Sequence, residues 1–224
     1  MITVPSIAFP EMQPYQKEFI DFAIAHKVLC FGDYTLKSGR RSPYFFNTGL
    51  FSDGASLATL GHFYASAITA SDVDFDMLFG PAYKGIPLAT SVAIALAGSF
   101  RRNVPFCFNR KEIKDHGEGG VLCGAGLAGK VLIVDDVISA GTSVNNSVNI
   151  IRQAGAVPAG VAVAMDRQER GEGLLSAVQE TEQRHSIKVI SIVTLDNVIE
   201  YLEGQKAMET NLDRINEYRR LYGV

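Results

Sequence analysis

The stretch Val131–Ser143, VLIVDDVISAGTS, constrains this chain more than any other. Its first four residues are all apolar and three are β-branched, so they read as a strand with no polar face, the kind found in parallel sheets covered by helices on both sides. The chain then turns through Ser139, Ala140 and Gly141 into a segment with helical apolar spacing, Ser143 to Gln153. At a helix start the first amides have no intrahelical partner and lie at the positive end of the dipole, so a turn of small residues there is a place for a phosphate. Asp135 and Asp136 stand at the carboxyl end of the strand, where acids of nucleotide-binding α/β folds accept hydrogen bonds from sugar hydroxyls. Strand, acids and turn together describe a ribose 5-phosphate cradle. An ordinary strand–helix junction capped by an Asp would look similar. Two features weigh against it: the acids are adjacent, so one must face away from any single cap, and three hydroxyls, Ser139, Thr142 and Ser143, surround Gly141. Within this segment there is neither the GxxxxGK[ST] spacing of a Walker loop nor a GxGxxG dinucleotide fingerprint.

A chain of 224 residues with 47% hydrophobic and 20% charged residues is long enough for one α/β domain with an appendage. The net charge of −3 argues against wholesale nucleic-acid binding, yet Arg101, Arg102, Arg110, Lys111 and Lys114 form a local cluster suited to anions. Cys30, Cys107 and Cys123 have neither CxxC spacing nor an even count, so no disulfide framework or zinc site is expected and a reducing, cytoplasmic setting fits. The opening MITVPSIAFPEM lacks the basic and apolar regions of a secretory signal, and the greasy stretch Ile86 to Phe100 is too short and too interrupted to span a bilayer. No membrane partner is expected.

Helical spacing appears over Tyr15 to His26 and Ser56 to Ala70, and a buried helix over Ile86 to Ala97. Strands are predicted at Met77 to Phe79, Pro105 to Phe108, Val131 to Val134, Val161 to Met165 and Val189 to Val193. Their alternation predicts an α/β fold, a parallel sheet flanked by helices, with active residues at the strand carboxyl ends. Before about Asp53 lie aromatic-rich, antiparallel-looking segments around the turn KSGRR, and after about Leu195 short polar helices. The expected division is residues 1–52 as the first part of a cap, 53–194 as the α/β core with a lid at about 109–121, and 195–224 as helices packing on core and cap.

Four further segments suit a polyanionic substrate. In FGPAYKG a strand ends in a Gly-Pro turn presenting Lys84, whose ammonium and neighbouring amides fit a pyrophosphate; a solvated loop lysine is the alternative. An unusual backbone shape in this turn, such as a non-proline cis bond, would be a functional device. In NRKEIKDHGEGG three cations and His116 fall within seven residues beside Gly117, Gly119 and Gly120, as in a closing lid or, equally, a solvated hairpin. In TLKSGRRSPYFFN, Lys37 precedes Phe45 and Phe46, against which a flat base can rest, unless the two rings are alternate faces of a strand with one in the core. In MDRQERG a buried strand delivers Arg167, which can pair with a substrate carboxylate or with its own neighbours Asp166 or Glu169.

The VDDVISAGTS segment resembles the PRPP-binding motif of type I phosphoribosyltransferases. Taken in order, TLKSGR, SPYFFN, GPAYKG, NRKEIKDHGEGG, LIVDDVISAGTS and DRQERG resemble the motif set of the orotate phosphoribosyltransferase family from about Phe31 to Gly171. That resemblance implies the type I fold with a small cap, or hood, built from the chain ends. It implies transfer of the 5-phosphoribosyl group from 5-phosphoribosyl 1-pyrophosphate (PRPP) to orotate, giving orotidine 5′-monophosphate and pyrophosphate in pyrimidine synthesis. By matching position, Asp135 and Asp136 would hold the ribose hydroxyls, and Val137, Ile138, Ser139, Ala140, Gly141, Thr142 and Ser143 would form the phosphate-binding segment. Tyr83 and Lys84 would face the pyrophosphate with Arg110, Lys111, Lys114 and His116, these four reaching in from the other subunit of a homodimer with shared sites. Lys37 would approach PRPP from the cap, and Phe45, Phe46, Ser139 and Arg167 would bind orotate. Mg²⁺ would be held mainly through PRPP, near Asp135 and Asp136. Ser139 departs mildly from the threonine many bacterial members carry, but keeps the hydroxyl. No activated Ser or Cys constellation is visible, so no covalent intermediate is expected. A purine or uracil phosphoribosyltransferase would need the cradle without Arg167, and a PRPP-sensing regulator would need a basic nucleic-acid surface for which the chain has no room before Tyr15.

Overall fold

The structure, a computed structural model, describes residues 12–36, 39–114, 120–139, 141–171 and 173–224; the side chains at 113, 114 and 120 lie outside that description. Lys37, Ala140, His116 and the Lys114 side chain therefore lie outside the described residues.

The chain opens with α1, Pro14–Ala25, followed by the antiparallel pair β1, Leu29–Thr35, and β2, Arg41–Phe46, then α2, Gly54–Ala70. Next come β3, Met77–Gly80; α3, Gly85–Ser99; the hairpin β4, Phe106–Lys114, and β5, Gly120–Gly124; and β6, Lys130–Val134. The second half holds α4, Thr142–Gln153; β7, Val157–Asp166; α5, Ala177–His185; β8, Lys188–Thr194; α6, Leu195–Glu203; and α7, Glu209–Tyr222. The main sheet runs β5-β4-β3-β6-β7-β8, parallel except for the β4–β5 edge.

The apolar strands feed two cores because successive side chains point to opposite faces. From β6, Leu132 and Val134 enter the core under α1, α2, α3 and α6, while Val131 and Ile133 enter the one under α4 and α5. From β7, Ala162 and Ala164 go to the first and Val161 and Val163 to the second. Every one of these residues is removed from water, each large one contributing about 1.5–3 kcal/mol, which explains the missing polar alternation. Phe22 stacks on Phe51 at 4.7 Å, and Phe19 meets Phe63 edge-on at 5.4 Å, tying α1 to α2.

Three expectations are corrected. The strand predicted to end at Phe108 continues to Lys114, because β5 supplies a ladder for it; Asn109 pairs with Leu122 and Lys114 with Gly120. The segment from Asn109, read as a closing lid or a solvated hairpin, is at its base a polar edge hairpin. Strand β7 starts at Val157, four residues before the apolar run suggested. The last helices are neither uniformly short nor polar: α6 buries Leu195, Val198, Ile199 and Leu202, and α7 spans 14 residues with Ile215 and Tyr218 buried.

The two chain ends meet. Tyr218 of α7 packs edge-on against Tyr44 of β2, with centroids 6.0 Å apart, and Arg214 pairs with Asp33 of β1. The terminal residues then clasp the segment after β7: Arg170 N donates to Tyr222 O at 2.8 Å, and Val224 N donates to Gln168 O at 3.1 Å.

Candidate active site

At the carboxyl end of β6 the sheet delivers Asp135 and Asp136, and the ladder to β7 continues through both residues: Asp135 N donates to Ala162 O, and Ala164 N donates to Asp136 O. The two acids have different surroundings. Asp135 is 6% exposed, and its carboxylate accepts from Ser143 Oγ at 2.6 Å and from Asp136 N at 2.9 Å. Burial pushes its pKa up to about 6; the Ser143 bond opposes the rise and the Asp136 charge adds to it. Asp136 instead meets Lys84 Nζ at 2.5 Å, and Thr48 Oγ1 lies 3.5 Å from the same oxygen.

The β6–α4 turn brings together the segment expected to bind phosphate. Val137 and Ile138 direct their side chains into the cores, leaving backbone groups to the site, while Ser139, Thr142 and Ser143 are exposed. Gly141 caps α4 with φ 68°, a left-handed conformation glycine adopts without steric cost. Having no side chain, it offers the first-turn amides no acceptor, whereas Asp53, Ser176 and Thr194 accept from the first turns of α2, α5 and α6. The first-turn amides of α4 are therefore left to whatever anion enters the cleft lined by Val137, Ile138, Ser139, Gly141, Thr142, Ser143 and Val144. A roomier cleft lies beside α1 and α6, but Asp196, Glu200 and Glu203 line it, the wrong charge for a polyanion.

Glycines place the second wall. A Cβ on Gly80 would stand 2.2 Å from Gly85 O, and one on Gly85 would stand 2.8 Å from Val134 O, so the β3–α3 turn lies directly on the end of β6. That approach carries Lys84 onto Asp136. The Ala82–Tyr83 peptide is cis. Asn109 Oδ1 accepts from Ala82 N at 2.9 Å, which ties the turn to β4, and Lys111 Nζ sits 4.5 Å from the centroid of the same chain's Tyr83 ring. Arg110 adjoins Lys111 on β4.

Beyond β7 the geometry separates the paired candidates. Arg167 donates from Nε at 2.8 Å and Nη2 at 2.6 Å to Glu169 Oε1, the neighbour contact that stood as one of two readings of this residue. Phe46 belongs to the core against Phe19, so its ring is not available to a base, while Phe45 is 37% exposed and stacks on Tyr34 at 5.4 Å.

Several residues at the site have no local sequence signal. Tyr64 of α2 is fully buried and donates to Asp135 O at 2.7 Å; burial and the two nearby carboxylates push its pKa well up, so it stays a donor. Thr48, Asn109 and Tyr44 join in the same way, through bonds to Asp136, Ala82 N and Glu169. Among the described residues no group of three or more acidic, His or Cys side chains could cage a metal, and no helix is long and apolar enough to cross a membrane.

The family model described as a phosphoribosyl transferase domain matches residues 54–193. An orotate phosphoribosyltransferase of Nitrosospira multiformis is 63% identical over 211 residues, 94% of this chain and 92% of that protein. One of Cellvibrio japonicus is 59% identical over 213 residues, 95% of this chain and 99% of the other. The crystal structure of the Francisella tularensis orotate phosphoribosyltransferase superposes with a TM-score of 0.85 at 44% identity, covering 92% of this chain and all of that one.

Proposed function

Because this chain belongs to the orotate phosphoribosyltransferase family, which transfers ribose phosphate from PRPP to orotate in pyrimidine biosynthesis, we propose that the cleft at the end of β6 binds PRPP. The observation that carries this assignment is the side-chain-free N-terminus of α4 beside two carboxylates in unequal environments. The 5-phosphate takes the first-turn amides and the hydroxyls of Ser139, Thr142 and Ser143. Asp135 and Asp136 take the ribose hydroxyls. Lys84 and Tyr83 of the β3–α3 turn face the leaving pyrophosphate, and Arg110 and Lys111 of β4 reach that of the other subunit. Orotate lies toward β2 and the end of β7, its carboxylate on Arg167 and its ring beside Phe45 and Ser139. Lys37, Lys114 and His116 are assigned to PRPP on sequence alone. The active form is a homodimer whose subunits share their sites, with β1, β2 and α7 as the cap.

The sugar carbon passes through an oxocarbenium-like state between departing pyrophosphate and incoming ring nitrogen. The residues have no bond to make to it; their task is to hold both reactants in line and to stabilise the charge that accumulates on the leaving oxygen. Lys84 must exchange Asp136 for phosphate oxygens, and Asp136 is then released toward the ribose. Phosphoribosyltransferases of this kind generally use Mg²⁺ with PRPP. A pair of carboxylates, with no group of three or more candidate ligands among the described residues, suits an ion held mostly by substrate oxygens and water, near Asp135 and Asp136. When bound, Mg²⁺ neutralises pyrophosphate charge.

Pyrophosphate release from PRPP tests the assignment. Orotate with Mg²⁺ should give full release; uracil, adenine or chelation of the metal should lower it by about a hundredfold or more. Equal release with uracil would remove the carboxylate from the recognition scheme, and full release under chelation would remove the metal.

A further inference from the structure

Glu169 is 14% exposed on its side chain, and its carboxylate is engaged on all sides. Its Oε1 accepts from Arg167 Nε at 2.8 Å, Arg167 Nη2 at 2.6 Å and the Tyr44 hydroxyl at 3.1 Å, while Oε2 lies 3.8 Å from Arg40 Nη1. The Tyr44 ring lies under the guanidinium, 4.6 Å from Cζ to centroid, and Tyr218 braces that ring edge-on. Burial, and secondarily the Glu169 charge, push the Tyr218 pKa up to about 12, so it adds no charge here.

A guanidinium offers a carboxylate two edges: a side edge of Nε and one terminal nitrogen, and an outer edge of the two terminal nitrogens. Glu169 holds the side edge. The ring beneath fixes the guanidinium plane, and Glu169 fixes its rotation within that plane. We propose that Glu169 is a positioning residue for substrate recognition, holding Arg167 by its side edge so that the outer edge takes the orotate carboxylate. This rests on the reading above that Arg167 receives that carboxylate. Arg40 and Arg167 against Glu169 leave one formal positive charge over, which matches one incoming carboxylate. The ordering of a long, flexible side chain is thereby completed on folding rather than on binding.

Two substitutions separate positioning from charge. Glu169→Asp keeps the charge and loses the reach; Glu169→Gln keeps the reach and an acceptor oxygen and loses the charge. Positioning predicts that Glu169→Asp raises KM for orotate about tenfold with KM for PRPP unchanged, and that Glu169→Gln stays within about twofold of the parent. A Glu169→Asp enzyme with the parent's KM for orotate would overturn the proposal. So would a Glu169→Gln enzyme that binds orotate more tightly, which would make Glu169 a competitor of the substrate. Parallel loss of affinity for both ligands together with melting temperature would reduce Glu169 to a structural role and overturn it as well. Arg167→Ala is the control for the underlying assignment. If it leaves KM for orotate unchanged, the assignment of Arg167 fails; if it raises that KM while Glu169→Asp does not, only the role of Glu169 fails.

Discussion

Replacing Asp135 by Asn should stabilise the protein while disabling it. The Asp135 carboxyl sits 6% exposed, and burial lifts its pKa from 3.8 to about 6 despite the bond from Ser143. The folded chain therefore binds this proton more tightly than the unfolded chain does, so stability falls as pH rises through the window between the two values. Above it the ionised carboxylate costs about 3 kcal/mol, at about 1.4 kcal/mol for each tenfold in proton affinity. Asn keeps the shape and can accept from Asp136 N and donate to Ser143 Oγ, but gives up a charge-assisted bond, so about 2 kcal/mol of the cost should be recovered. For a chain of this length that is a rise in melting temperature of roughly 4–8 °C at about pH 8, without PRPP. Thermal melts of both proteins across pH decide the matter. The gap should close to about zero by about pH 4.5, because the carboxyl is then protonated in the folded parent but still mostly ionised in the unfolded chain, and about two-thirds of the ionisation cost is gone. A gap that stays constant or widens as pH falls would refute the account of a buried, ionised Asp135. Turnover should drop because a ribose ligand is lost, the usual opposition of stability and function at a site.

Lys111→Ala should lower kcat about a hundredfold with KM for orotate within about twofold, since a cation beside Tyr83 acts on charge that develops as pyrophosphate leaves; unchanged kcat in steady-state kinetics would reject that role. Gly80→Ala, whose Cβ would lie 2.2 Å from Gly85 O, should cost about 3 kcal/mol or more in urea denaturation, and a loss under about 1 kcal/mol would contradict the close approach of the β3–α3 turn.

The parallel sheet and the uncapped start of α4 were legible in the chain because their signals are local. Val131 to Val134 has no polar face, and small residues from Ser139 to Gly141 leave a helix start uncapped; both properties are carried by neighbours in sequence. The extension of β4 to Lys114 was not legible, since a polar edge strand has no apolar alternation and exists through its ladder with β5. Phe45 and Phe46 were left as a pair of alternatives that only the β1–β2 register and the packing of α1 resolve.

The sequence by itself determined the fold class, the place of the β6–α4 turn and the chemical types of the groups around it, since strand burial, turn chemistry and helix starts follow from short-range periodicity and backbone geometry. Only the tertiary structure decided what each group does with its charge. Two adjacent aspartates become unlike because Tyr64 and Ser143 enclose one and Lys84 pairs with the other. Arg167 acquires its orientation from Glu169 and from Tyr44, which lies more than a hundred residues earlier in the chain. Desolvation and ion pairing depend on distance through space, and distance through space is what a linear sequence does not state.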